Sequence, residues 1–78
     1  MQLSFAPIGQ SATITAIHAN ETVCKHLNNL GFTVGSTVKP LMESGGSLIL
    51  EIRGGRLALD RTLALKIQVE GGSYAKIS

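Results

Sequence analysis

The stretch Leu27-Asn28-Asn29-Leu30-Gly31-Phe32-Thr33-Val34-Gly35-Ser36-Thr37-Val38 decides the fold. Gly31 follows the apolar residues Leu27 and Leu30, where a helix commonly ends on one residue in the left-handed conformation that costs glycine least. Gly35 marks a second bend, so Phe32 and Val34 between them are expected to pin the helix end against neighbouring strands. On both sides of this hinge the sequence changes from helical to extended patterning.

Upstream, Asn20 is a good helix N-cap, and Glu21 in the first turn suits the positive end of the helix dipole. At 100° per residue Val23, Leu27 and Leu30 form one narrow apolar stripe, with Glu21, Lys25 and Asn28 on the opposite side. The helix is therefore predicted from the N-cap to Leu30, one face buried and one wet. Before it, Ala12-Thr13-Ile14-Thr15-Ala16-Ile17 is rich in β-branched residues and reads as the first strand with Ile14 inward. Its alternation slips at Ile17, where a bulge or the strand end lets both isoleucines reach apolar neighbours. Leu3, Phe5, Pro7 and Ile8 form an extended arm that Pro7 keeps out of a helix and Gly9 closes.

Downstream, Thr37 to Glu43 is a strand with Val38 and Met42 on one face, restricted by Pro40 to an edge or a bulge. Ser44-Gly45-Gly46 is a turn. Leu48, Leu50 and Ile52 alternate with Glu51 and Arg53 in the clearest strand, and Gly54-Gly55 turns it into Arg56-Leu57-Ala58-Leu59. Asp60 caps one helical turn through Ala64, and Lys66-Ile67-Gln68-Val69 alternates as the last strand. Five short strands, one helix after the first and a helical turn before the last predict a small closed or nearly closed β-barrel over residues 1–70. The tail, residues 71–78, is expected to fray.

The chain has 78 residues, 44% of them hydrophobic, which suits one domain too small for a large internal substrate cavity. The single Cys24 excludes an internal disulfide, and no signal-peptide pattern opens the sequence, so a reducing, cytoplasmic setting is expected. The longest apolar run, Leu48-Ile49-Leu50, is too short to insert in a bilayer. The net charge of +2 is scattered, and Phe5, Phe32 and Tyr74 are too few for base stacking, so nucleic acid is not the expected partner.

His18, Glu21, Cys24 and His26 supply metal-ligand chemistry within nine residues. Cys24 and His26 stand about 200° apart around the helix and cannot close on one ion, so a site needs His18 to fold back onto Glu21 or Cys24. The plainer reading makes Cys24 a small hydrophobe beside the stripe, with both histidines partly exposed. The same angle separates Cys24 from His26 as nucleophile and base, and no phosphate loop or carboxylate pair is present, so no enzyme is expected.

Leu3, Gly9, Ala12, Ile14 and Ile17, then Leu27-x-x-Leu30-Gly31-Phe32-x-x-Gly35-x-x-Val38, then Gly54-Gly55-Arg56-Leu57-Ala58-Leu59, Leu63-Ala64 and Ile67-x-Val69, together resemble the FeoA family. The resemblance implies a mainly β, SH3-like barrel of about five strands. It also implies a cytoplasmic accessory of bacterial ferrous iron uptake that contacts the membrane transporter FeoB and requires no cofactor. Many members carry arginine just before the Leu-x-x-Leu-Gly run, where this chain has Cys24-Lys25-His26. The partner-binding residues expected here are Lys25, Arg53, Arg56 and Arg61. The rival reading, similar to the barrel of iron-dependent repressors, is a sensor in which His18, Glu21 and Cys24 bind Fe2+ or another divalent ion. The absence of a helix-turn-helix pattern favours the transport accessory. Oligomeric state is not readable from the sequence.

Overall fold

The computed structural model describes residues 1–71. A 3-10 turn (Leu3–Phe5) leads to β1 (Ala12–Ile17), α1 (Glu21–Leu30), β2 (Thr37–Ser44), β3 (Ser47–Ile52), β4 (Gly55–Asp60), α2 (Arg61–Ala64) and β5 (Ile67–Gly71). The five strands form one antiparallel sheet in the order β4-β3-β2-β1-β5. The fold is mainly β and SH3-like, but the ladder is not closed: β4 and β5 remain at its two ends. Of the closed or nearly closed barrel expected, the SH3-like five-stranded arrangement holds and full closure does not. β1 pairs with β2 only at Ala12↔Val38 and Thr13↔Thr37 and spends most of its length on β5.

The hinge behaves as its glycines dictate. Asn20 accepts from the Val23 N–H at 2.8 Å, and Gly31 (φ 107°) ends α1 in the left-handed region. Gly31 N–H donates to the Asn28 carbonyl at 3.0 Å and Phe32 N–H to the Leu27 carbonyl at 2.9 Å, the Schellman arrangement that satisfies the last orphan carbonyls. Phe32 and Leu27 are both fully buried, so the cap is also a hydrophobic contact. They join Leu3, Ile14, Val38, Leu50, Leu59, Ile67 and Val69 in one core.

Several local expectations need correction. Val34 is 65% exposed, because Gly35 N–H and the Ser36 carbonyl tie this connection to Ile14 through backbone instead. Leu30 is 37% exposed, so the buried stripe of α1 rests on Leu27 with Val23 partly covered. The opening arm is a 3-10 turn, closed by Phe5 N–H to the Gln2 carbonyl and Ala6 N–H to the Leu3 carbonyl, before Pro7 stops it. Leu3 plugs the core while Phe5 points to solvent.

Met42 does not share a face with Val38. The β2–β3 register shifts between Pro40↔Leu50 and Met42↔Ile49, leaving Leu41 as an extra residue that turns Met42 outward. Pro40 thus sits beside a bulge in an interior strand. The turn between β3 and β4 is Arg53–Gly54, not Gly54–Gly55, because Ile52 pairs with Gly55. Arg53 (φ 54°) and Gly54 (φ 79°) both adopt positive φ, as a two-residue primed hairpin turn requires. β5 begins one residue later than expected and runs through Gly71, and the fraying expected beyond that point falls on residues outside those described.

Candidate partner-binding surface

Alternation fixes what the sheet shows to solvent. Val38 and Pro40 of β2, Leu50 and Ile52 of β3, and Leu59 of β4 are buried, so their neighbours face out. Register then sets Lys39 beside Glu51 and Glu51 beside Arg56. The next outward row is apolar, Met42 beside Ile49 beside Ala58. Directly opposite side chains on one face stand about 4.5–5.5 Å apart at Cβ, close enough for each row to act as one strip.

Arg53 extends the charged row at the hairpin turn. A Cβ placed on Gly31 would stand 3.2 Å from Arg53 Cδ and 3.3 Å from Nε, so the Arg53 stem lies over the end of α1. The carbonyl end of a helix carries a partial negative charge that favours a cation there. Lys39, Glu51, Arg53, Gly54 and Ser11 border a shallow open hollow of about 260 Å³. Two cations, Lys39 and Arg53, and one carboxylate, Glu51, stand on its walls.

The structure separates the four expected contact residues. Arg53 stands in the β3–β4 turn with its stem over the end of α1, and Arg56 stands on β4 opposite Glu51. Arg61 lies about 17 Å away along the strand direction from Arg56, and its Nη1 pairs with Glu43 Oε2 at 3.1 Å. Both of those side chains are close to half exposed, so the pair contributes at most about 1 kcal/mol. Lys25 is exposed on α1, about 9 Å back along the axis from Gly31 and about 120° around it, apart from the cluster. Sequence reasoning missed Lys39 and the outward Met42–Ile49–Ala58 row; the signal was Pro40, whose bulge sets the phase of everything after it.

His18, Glu21 and Cys24 do not assemble: among the described residues no three His, Cys, Asp or Glu side chains are grouped to hold a metal ion. The Cys24 thiol donates to the Ala19 carbonyl at 3.4 Å, and the His18 and Glu21 side chains are exposed. Among the described residues no helix is long and apolar enough to cross a membrane.

Next to Arg61, the Asp60 carboxylate accepts from the Thr62 hydroxyl at 2.7 Å and from the Thr62 N–H at 2.8 Å. These two bonds hold its carboxyl below the ordinary range, since both favour the charged form. A depressed folded-state pKa adds stability above the unfolded-state pKa and loses it as pH falls through the folded value. Acid titration of unfolding should therefore show a loss below about pH 4 that Asp60→Asn flattens, because asparagine still caps α2 but does not titrate. Denaturant unfolding followed by circular dichroism across that range checks this, and an unchanged slope in Asp60→Asn would contradict it.

Residues 1–71 match the family model described as FeoA domain. A Methanocaldococcus jannaschii protein, assigned by inference as Fe(2+) transport protein A, is 32% identical over 72 residues, spanning 92% of this chain and 88% of its own. The solution structure of the Chlorobium tepidum FeoA protein superimposes with a TM-score of 0.84 at 28% identity, covering 94% of this chain and 71% of that one. The zinc-complexed FeoA of Stenotrophomonas maltophilia, described as a prokaryotic SH3 domain protein, gives a TM-score of 0.76 at 29% identity over 90% of this chain and 89% of that one.

Proposed function

The chain belongs to the FeoA family, which is associated with ferrous iron transport, and on that premise we propose that it acts in the cytoplasm as a non-enzymatic accessory that docks on a FeoB-type transporter. Residues 1–70 form the docking domain. Ferrous iron is the cargo of the transporter, and the accessory works by contact with the transporter's cytoplasmic portion.

The observation that supports docking at the β3–β4 turn is Arg53. Position φ 54° favours asparagine or glycine, and an ordinary L side chain there is strained. A long cationic residue at a strained, solvent-facing tip, with Arg56 on β4 and Lys39 on β2, is the pattern of a contact residue more than of a fold-maker. Arg61 and Lys25 lie apart from this surface and contribute only through the general positive field.

The test is capture of the purified cytoplasmic portion of a FeoB-type transporter by the immobilised chain, in the nucleotide-free, GDP-bound and GTP-analogue-bound states. Retention in at least one state is expected. Failure in all of them would overturn the docking reading.

A further inference from the structure

The two ends of the sheet are not alike. The outer side of β5 is covered by the N-terminus: Val69 N–H donates to the Met1 carbonyl at 2.7 Å, the Met1 amino group donates to the Val69 carbonyl at 3.0 Å, and Gln2 bridges Gln68. Among the described residues β4, at the other end, has only β3 beside it in the sheet order. Its six residues include no proline and no inward charge and keep an unbroken register with β3, and its two exposed charges, Arg56 and Asp60, are opposite in sign.

In a hairpin closed by a two-residue turn, the residues flanking the turn exchange both backbone bonds, and every second residue after them does likewise. With Arg53–Gly54 as the turn, Gly55, Leu57 and Leu59 therefore bond to β3. The backbone groups of Arg56, Ala58 and Asp60 point away from the sheet. Arg61 N–H, donating back to the Gly46 carbonyl at 3.1 Å, keeps the same alternation. Arg56, Ala58 and Asp60 are also the exposed side chains of β4, so the edge offers cation, methyl and anion in that order.

We propose that β4 pairs antiparallel with β4 of a second copy of this chain, about a two-fold axis through Ala58. The axis sets Arg56 opposite Asp60 of the second copy and Asp60 opposite its Arg56, with the two Ala58 residues facing each other. Ala58 N–H and C=O bond to their counterparts, and the Asp60 N–H bonds to the Arg56 carbonyl across the axis. A slip of two residues separates the opposed charges, and a slip of one sets free backbone groups against used ones, so one register is selected. The Met42–Ile49–Ala58 row then continues into the same row of the second copy, forming a single apolar strip across both sheets.

The pairing is tested on the purified full chain alone, so its failure leaves transporter docking untouched. Sedimentation equilibrium from about 10 µM to about 1 mM should show a concentration-dependent dimer. Arg56→Asp sets like charges opposite each other on both sides of the axis and should weaken the dimer at least about tenfold. Lys66→Asp, the same charge change on an exposed residue away from β4, should leave it intact. Amide exchange supplies the local readout: the Ala58 N–H should be protected in concentrated wild type and not in Arg56→Asp. A chain that stays monomeric at about 1 mM, a dimer indifferent to Arg56→Asp, or Ala58 protection that appears only with the transporter's cytoplasmic portion would each overturn the proposal.

Discussion

Phe32→Ala should lower the free energy of unfolding by about 3–5 kcal/mol, the range for truncating a fully buried aromatic residue. Phe32 is 0% exposed and lies where the α1 cap meets the strands, so the lost ring leaves a void that neither the Schellman backbone nor the sheet can collapse into. Small domains hold about 5–15 kcal/mol in total, and a 78-residue core belongs near the bottom of that range. The variant should therefore sit at the edge of unfolding. Urea denaturation followed by circular dichroism reads this directly: with a slope of about 1 kcal/mol/M the midpoint falls by about 3 M or more. Phe32→Leu, which retains most of the volume, should lose much less. A Phe32→Ala midpoint within about 0.5 M of wild type would mean that the hinge does not organise the core.

Arg53→Glu should weaken binding to the transporter's cytoplasmic portion by about 2 kcal/mol, roughly thirtyfold in Kd. The substitution turns the tip of the β3–β4 hairpin from cationic to anionic, next to Glu51 and to the carbonyl end of α1. Both neighbours are negative, so the reversal disturbs the local field as well as any contact with an acidic partner. Arg53→Asn separates the two effects. Asparagine tolerates the positive φ, so the fold should keep its stability within about 1 kcal/mol while the affinity still drops about tenfold. Titration by calorimetry checks both variants, and equal affinity for wild type and Arg53→Glu would remove the turn from the interface.

The parts legible in the sequence were those where one residue type has one physical solution. Asn20 and Asp60 cap α1 and α2, Gly31 ends α1, and Leu48, Leu50 and Ile52 alternate into the core. These are local effects, and local reasoning finds them. The errors arose where the register decides. Two glycines in a row at Gly54–Gly55 looked like the better turn, yet β3 and β4 pair as Ile52↔Gly55, which makes Arg53–Gly54 the turn and holds an arginine at positive φ. Likewise the bulge at Leu41 reverses the phase of β2, so Met42 faces solvent beside Ile49 although it stands four residues from buried Val38. A one-residue shift in a strand exchanges its faces, and no count of apolar residues within β2 reveals which side of Pro40 the extra residue takes.

The candidate surface was half legible for the same reason. Arg53 and Arg56 were recognisable as neighbouring cations in the chain, but Lys39 joins them only through the β2–β3–β4 register. Arg61 looked equivalent to them and is instead paired with Glu43 at the far end of the strand. The metal-ligand types around α1 were plain in the sequence, but spacing on a helix disperses them, and the Cys24 thiol turns to the Ala19 carbonyl.

The most direct test of docking at the turn is backbone amide mapping by NMR, with the isotopically labelled chain titrated by the unlabelled cytoplasmic portion of the transporter. The account predicts that the amides of Gly31, Lys39, Arg53, Gly54 and Arg56 shift or broaden first and that those of His18 to Cys24 stay in place. Perturbations centred on His18 to Cys24, with the β3–β4 turn unaffected, would contradict it.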